Sequence, residues 1–198
     1  SGCGNDTDSV RRMMRKFMVD CVLSWIRLYD VDGFRFDLMG LHDIDTMNQI
    51  VREGRRLKPD LMVYGEGWDM PTALDSAQKA CQRNNAQMPQ IAHFNDVFRD
   101  VIKGRTSEYE VQARGYMTGN LYQCHEVPSC LCAHTLDGPY TQIYQQPHQS
   151  INYVECHDNA TSWDKMKDCC KDEVREVRVR RQKLMIATVL VAQGIPFL

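Results

Sequence analysis

The chain has 198 residues, of which 43% are hydrophobic and 25% charged, with a formal net charge of -2. This length suits one substantial core or part of a larger domain, and the balance is that of a folded globular chain rather than a disordered one. The small charge gives no electrostatic case for nucleic acid or an anionic membrane as partner. The longest apolar run, residues 184–191, falls far short of the ~20 residues a membrane-spanning helix needs.

The predicted elements alternate. Val10, Met13, Met14, Phe17, Met18, Cys21, Val22, Trp25 and Ile26 recur at helical spacing, with Asp8 and Ser9 available as caps. GFRFDL at 33–38 reads as a strand. Asp43 then opens a helix carrying Ile44, Met47, Ile50, Val51 and Leu57 on one face. Asp43 and Asp45 sit at its positive end, Arg55, Arg56 and Lys58 at its negative end, and Pro59 stops it. Further strands are expected at 61–64, 91–94, 151–156 and 195–198, with a helical turn at 97–103. Residues 104–150 read as a long loop region with room for short helices, and loops of that length are uncommon unless functional. The helix expected over 173–193 has a charged first half and a second half apolar nearly all round, which predicts a buried end. Strands alternating with helices imply an α/β fold with parallel pairing.

The nine cysteines have no framework spacing, and Cys169 and Cys170 are adjacent. They read as reduced thiols in a cytoplasmic setting. The chain starts at Ser1 without Met and stops at Leu198 within an apolar stretch. Those ends are expected of an internal piece of a longer protein, which leaves a secreted or cell-surface setting open. Cys124, His125, Cys130, Cys132 and His134 cluster in the long loop, and a zinc-binding module is a competing expectation, although the spacing is not that of common zinc sites.

Charged residues at strand ends carry the chemistry. Side chains alternate along a strand, so Gly33, Arg35 and Asp37 share one face, and Phe34, Phe36 and Leu38 the other. Glu66 and Asp158 follow two other strands. Grouped carboxylates disfavour one another's ionised forms, so one can stay a proton donor while another acts as nucleophile. Retaining glycoside hydrolysis requires that division. A structural ion pair for Arg35 and Asp37 remains open on spacing alone.

Three motifs narrow the choice. VDGFRFDLMG at 31–40, YGEGWD at 64–69 and NYVECHDN at 152–159 resemble, in family order, the fourth-, fifth- and seventh-strand motifs of the α-amylase superfamily, glycoside hydrolase family 13. FDLMG and GEGWD look most like its α-1,6-debranching members, the type I pullulanases, as do SGCGND at the start, FNDVFRD at 94–100 and QGIPFL at the end. The resemblance implies an incomplete (β/α)8 TIM barrel, roughly from helix 3 to strand 8, truncated at both ends of residues 1–198. The family's third-strand motif, an Asn-His pair preceded by an aspartate, is absent. Little activity is therefore expected of the isolated piece, whose partner would be the remainder of its own barrel.

The implied substrate is an α-glucan, and the implied reaction is retaining hydrolysis of α-1,6 branch linkages through a covalent glycosyl-enzyme intermediate. By motif, Asp37 is the nucleophile, Glu66 the acid and base, and Asp158 the transition-state stabiliser. Arg35 orients Asp37, His157 binds the sugar, and Trp68 is a candidate stacking platform. No cofactor or catalytic metal is required; a structural calcium is compatible with the family but is not implied by this segment. The alternatives are a superfamily member acting on α-1,4 bonds and a non-catalytic glucan-binding module.

Overall fold

The computed structural model describes residues 6–198, so the opening SGCGND motif lies, Asp6 apart, outside the described residues. The chain is α/β and forms two compact units, Ser1–Phe94 and Asn95–Leu198. Among the described residues, no helix is long and apolar enough to cross a membrane.

In the first unit, α1 (Arg12–Tyr29), β1 (Gly33–Phe36), α2 (Ile44–Leu57), β2 (Met62–Gly65) and β3 (Ala92–Phe94) follow in order. The strands pair in parallel, with Arg35 opposite Tyr64, Phe36 opposite Gly65, and Gly65 opposite His93. Met18, Val22 and Ile26 of α1 share a core with Met47, Ile50 and Val51 of α2 and with Leu61 and Val63, and Phe34 and Phe36 pack against it. As the sequence predicts, Asp43 caps α2, accepting from the Thr46 amide at 2.9 Å.

The start of α1 differs from expectation. Its N-cap is Arg11, with no side-chain cap bond. Ser9 turns instead to Asp43, donating to Oδ2 at 2.6 Å and accepting from the Asp43 amide at 2.9 Å. Asp43 is buried, and a buried carboxylate needs partners more than an exposed helix end does. The apolar face is also rotated: Met13, Phe17 and Trp25 are exposed, because α1 meets the core along the Met18, Val22, Ile26 stripe.

The second unit contains α3 (Asp96–Ile102), α4 (Val127–Leu131), β4 (Ser150–Asn152), α5 (Ser162–Cys169), α6 (Arg175–Val191) and β5 (Ile195–Pro196). β4 and β5 pair in parallel, Ile151 opposite Ile195. Between Gly104 and Ser150 the chain makes α4 and four short 3₁₀ turns. Three expectations are corrected. β4 stops at Asn152 rather than continuing to Cys156. A helix, α5, stands where none was expected; Thr161 caps it by accepting from the Asp164 amide at 3.1 Å. The end of α6 is not buried: Leu190 is 54% and Val191 74% exposed, while Met185, Thr188 and Val189 alone form its inward stripe.

Buried polar side chains hold the irregular segments. Asn95 Nδ2 lies 2.9 Å from both His134 Nδ1 and Ser150 Oγ. Ser150 donates to Asn152 Oδ1 at 2.8 Å, and Asn152 Nδ2 donates to the Gln193 carbonyl at 2.6 Å. Lys165 Nζ, almost fully buried, donates to the carbonyls of Arg105, Glu110 and Val111 at 2.6, 2.9 and 2.9 Å.

Removing that ammonium strands three carbonyls. Lys165→Met is expected to cost about 3 kcal/mol or more, read by urea unfolding, with faster proteolysis within residues 105–111; unchanged stability would show that the cage is not needed.

Burial pushes the His93 and His134 imidazoles down from the ordinary 6.5 to about 4. The folded state then binds fewer protons than the unfolded one at each. Stability from both is full above about pH 6.5 and is lost as pH falls towards 4, by a few kcal/mol per histidine. Urea unfolding at pH 7, 5.5 and 4.5 checks this, and a flat profile would contradict it.

Candidate active site

The carboxylate of greatest interest in the first unit lies just beyond a strand. β1 ends at Phe36, and Asp37 and Leu38 form the turn that follows. Alternation holds up to that point: Phe34 and Phe36 face the core, and Arg35 lies with its guanidinium 5.3 Å from the centre of the Phe94 ring.

From there Arg35 reaches two carboxylates. Nη1 pairs with Asp37 Oδ1, and Nη2 donates to Glu66 Oε1 at 3.1 Å. The first contact is the one that strand alternation predicts; the second is not. Glu66 follows β2 directly, and the pairing of Phe36 with Gly65 brings it level with the end of β1. Its side chain is 6% exposed, against 65% for Asp37. The Leu38 amide donates to its Oε2 at 2.7 Å, from a residue with φ 46°. That left-handed conformation is uncommon for a branched side chain and costs of order 1 kcal/mol. It turns the amide onto Glu66, a role that sequence reasoning missed.

Two glycines permit this packing. A Cβ at Gly40 would overlap the Trp68 carbonyl oxygen, and one at Gly65 would lie 2.5 Å from the Phe36 carbonyl oxygen. The Gly40 amide donates to the Glu66 carbonyl at 2.9 Å, and the Glu66 amide to the Phe36 carbonyl at 3.1 Å. The glycines of FDLMG and GEGWD thus let the turn after β1 lie against the chain after β2. Trp68 is half-buried. Asp69 beside it is held by Lys79 at 3.0 Å and Arg83 at 2.8 Å.

In the second unit, His157 and Asp158 lie in an exposed turn, not at the end of β4 as expected. His157 Nε2 is 3.2 Å from Asp158 Oδ1, and His157 Nδ1 is 3.4 Å from the Cys156 thiol. The structure therefore gathers five of the six predicted residues in two groups, Arg35 with Asp37 and Glu66, and His157 with Asp158.

The expected zinc cluster does not assemble among the described residues. Cys130 and His134 are buried, with Sγ and Nε2 4.0 Å apart, whereas Cys124 is exposed. Burial pushes the Cys130 thiol up to about 12, away from the thiolate that zinc binds. His134 spends its Nδ1 on Asn95. The eight described cysteines are all unpaired.

No protein-family model matches the chain. It is 44% identical over 198 residues to a pullulanase of Bacillus subtilis (strain 168), covering all of this chain and 27% of that protein. The crystal structure of pullulanase type I from Bacillus subtilis str. 168, complexed with maltose, superposes with a TM-score of 0.96 at 44% identity, over 100% of this chain and 27% of that one. A pullulanase from Anoxybacillus sp. LM18-11 complexed with maltotriose gives 0.93 at 44%, over 99% and 27%. By sequence and by fold, the chain is related along its whole length to pullulanases, and it spans about a quarter of the length of these relatives.

Proposed function

We propose that this chain supplies part of the catalytic (β/α)8 barrel of a glycoside hydrolase family 13 debranching enzyme. The reaction is retaining hydrolysis of α-1,6 linkages in pullulan, amylopectin or glycogen-type glucans. The observation that carries the reading is the Arg35 guanidinium shared by Asp37 and Glu66, in a chain related throughout to pullulanases. Retaining chemistry needs two carboxyl groups about 5–5.5 Å apart, and one guanidinium between them keeps both at short range.

In this reading the Asp37 carboxylate attacks the anomeric carbon and forms a glycosyl ester. The leaving glycosidic oxygen takes its proton from Glu66. Glu66 then accepts a proton from the water that attacks the anomeric carbon, and Asp37 is released. Burial of Glu66 keeps bulk water from competing for that proton. Asp158 stabilises the oxocarbenium-like transition state, His157 donates to a sugar hydroxyl, and Trp68 offers a stacking face. Arg35 positions both carboxylates. The reduced thiols fit a cytoplasmic setting.

The test uses the protein that carries this chain. Glu66→Gln is expected to lower pullulan hydrolysis by ~10²–10⁴-fold, the usual weight of general acid catalysis. Asp37→Ala should abolish turnover and any trapped glycosyl-enzyme. Wild-type protein should release maltotriose, from α-1,6 cleavage. Panose instead would mean α-1,4 cleavage, and near-normal hydrolysis by Glu66→Gln would remove it as the acid.

A further inference from the structure

Among the described residues, one group of three metal-ligating side chains comes together: Cys156, His157 and Asp158. One donor atom from each, a sulfur, an imidazole nitrogen and a carboxylate oxygen, lies within 4.8 Å of the others. The thiol is 3.4 Å from His157 Nδ1, and His157 Nε2 is 3.2 Å from Asp158 Oδ1. His157 and Asp158 are exposed and Cys156 is half-buried, so an ion in solution can reach the group.

The donor set is selective. Calcium and magnesium take oxygen ligands, whereas sulfur with imidazole suits zinc and its neighbours. Tetrahedral zinc, with bonds of about 2.0–2.3 Å, holds its ligands roughly 3.3–3.8 Å apart. The donor pairs need to close by up to about 1.5 Å to reach that spacing, a change that side-chain rotation in an exposed turn can supply. Three protein ligands leave a fourth position for water. The buried Cys130 and His134 offer no comparable access.

We infer that Cys156, His157 and Asp158 form a site for a borderline divalent cation such as Zn²⁺, and that its occupation stops glucan hydrolysis. The inhibitory half rests on the proposed roles of His157 and Asp158 toward the sugar. As the metal–sulfur bond forms, the Cys156 thiol releases its proton to solvent. The Asp158 carboxylate and one His157 ring nitrogen turn to the ion and are withdrawn from substrate. Calcium, lacking affinity for the thiolate, should have no such effect.

Cobalt(II), whose thiolate charge-transfer absorption reports a bound sulfur, serves as the probe in the protein that carries this chain. Wild type and Cys124→Ser, an exposed-cysteine control, should show the band, and Zn²⁺ should displace the cobalt. Cys156→Ser should lose the band, bind at least about tenfold more weakly, and keep its basal hydrolysis. Zn²⁺ should inhibit wild type, reversibly on chelation, and Cys156→Ser only at tenfold or more higher concentration. A band that survives in Cys156→Ser, or that falls equally in Cys124→Ser, would overturn the site. Cobalt held through Cys156 with hydrolysis unaffected would overturn the inhibition. A metal-free protein that cannot hydrolyse pullulan would instead count against the proposed activity, with the cobalt band still deciding the site.

Discussion

Two carboxylates cannot be held close in a protein without something to offset their repulsion. In the first unit that something is Arg35. Its planar fork can meet two acids at once, which a lysine's compact ammonium does less well. Much of the local architecture serves this contact. The parallel register sets Phe36 against Gly65 and so places Glu66 beside the end of β1. Leu38 accepts a left-handed backbone to aim its amide at Glu66. The Phe94 ring lies against the guanidinium and limits where it can swing. Gly40 and Gly65 give the turn after β1 and the chain after β2 room to approach.

The second unit solves a different problem. Its strands are short, and the long stretch between α3 and β4 has little repeating backbone pairing. Backbone groups in such a stretch still need partners once buried. Side chains supply them: Lys165 takes three carbonyls, Thr118 takes the Lys103 carbonyl at 2.9 Å, and Arg181 takes that of Met117 at 2.9 Å. The Asn95, His134, Ser150, Asn152 chain ties the loop to β4 and to the end of α6. Order here comes from polar satisfaction as much as from apolar burial, which makes this unit sensitive to single polar substitutions.

Local rules were legible in the sequence, and long-range partnerships were not. Alternation correctly separated Arg35 from Phe34 and Phe36, and the Asp43 cap and charge gradient of α2 were readable because each depends on neighbours a few residues away. The contact between Arg35 and Glu66 spans 31 positions and depends on strand register, which no local pattern encodes. Ser9 is a similar case: it looked like a cap for the helix beside it, but its partner is 34 residues distant. Periodicity gave α1 an apolar face and the second half of α6 an apolar surface nearly all round, without showing which part of either would meet the core. The loop's Cys and His residues looked like a ligand set by proximity in sequence. Burial of Cys130 and the bond that His134 accepts from Asn95 gave two of them other uses.

The two groups of candidate site residues differ in how they are held, and the difference bears on chemistry. Glu66 is fixed by a guanidinium, a backbone amide and near-complete burial, so its position is set before any ligand arrives. Asp158 has the His157 ring 3.2 Å away in an exposed turn. A group meant to transfer a proton gains from being pre-positioned, because reorganisation at the moment of reaction is costly. A group meant to follow charge as it develops on a sugar ring tolerates a looser seat, provided that substrate binding completes its hydrogen bonds. The same looseness leaves Asp158, His157 and Cys156 able to close on a cation. A carboxylate and imidazole exposed to a substrate are exposed to a competing ligand as well, and the adjacent thiol sets which ligand that would be.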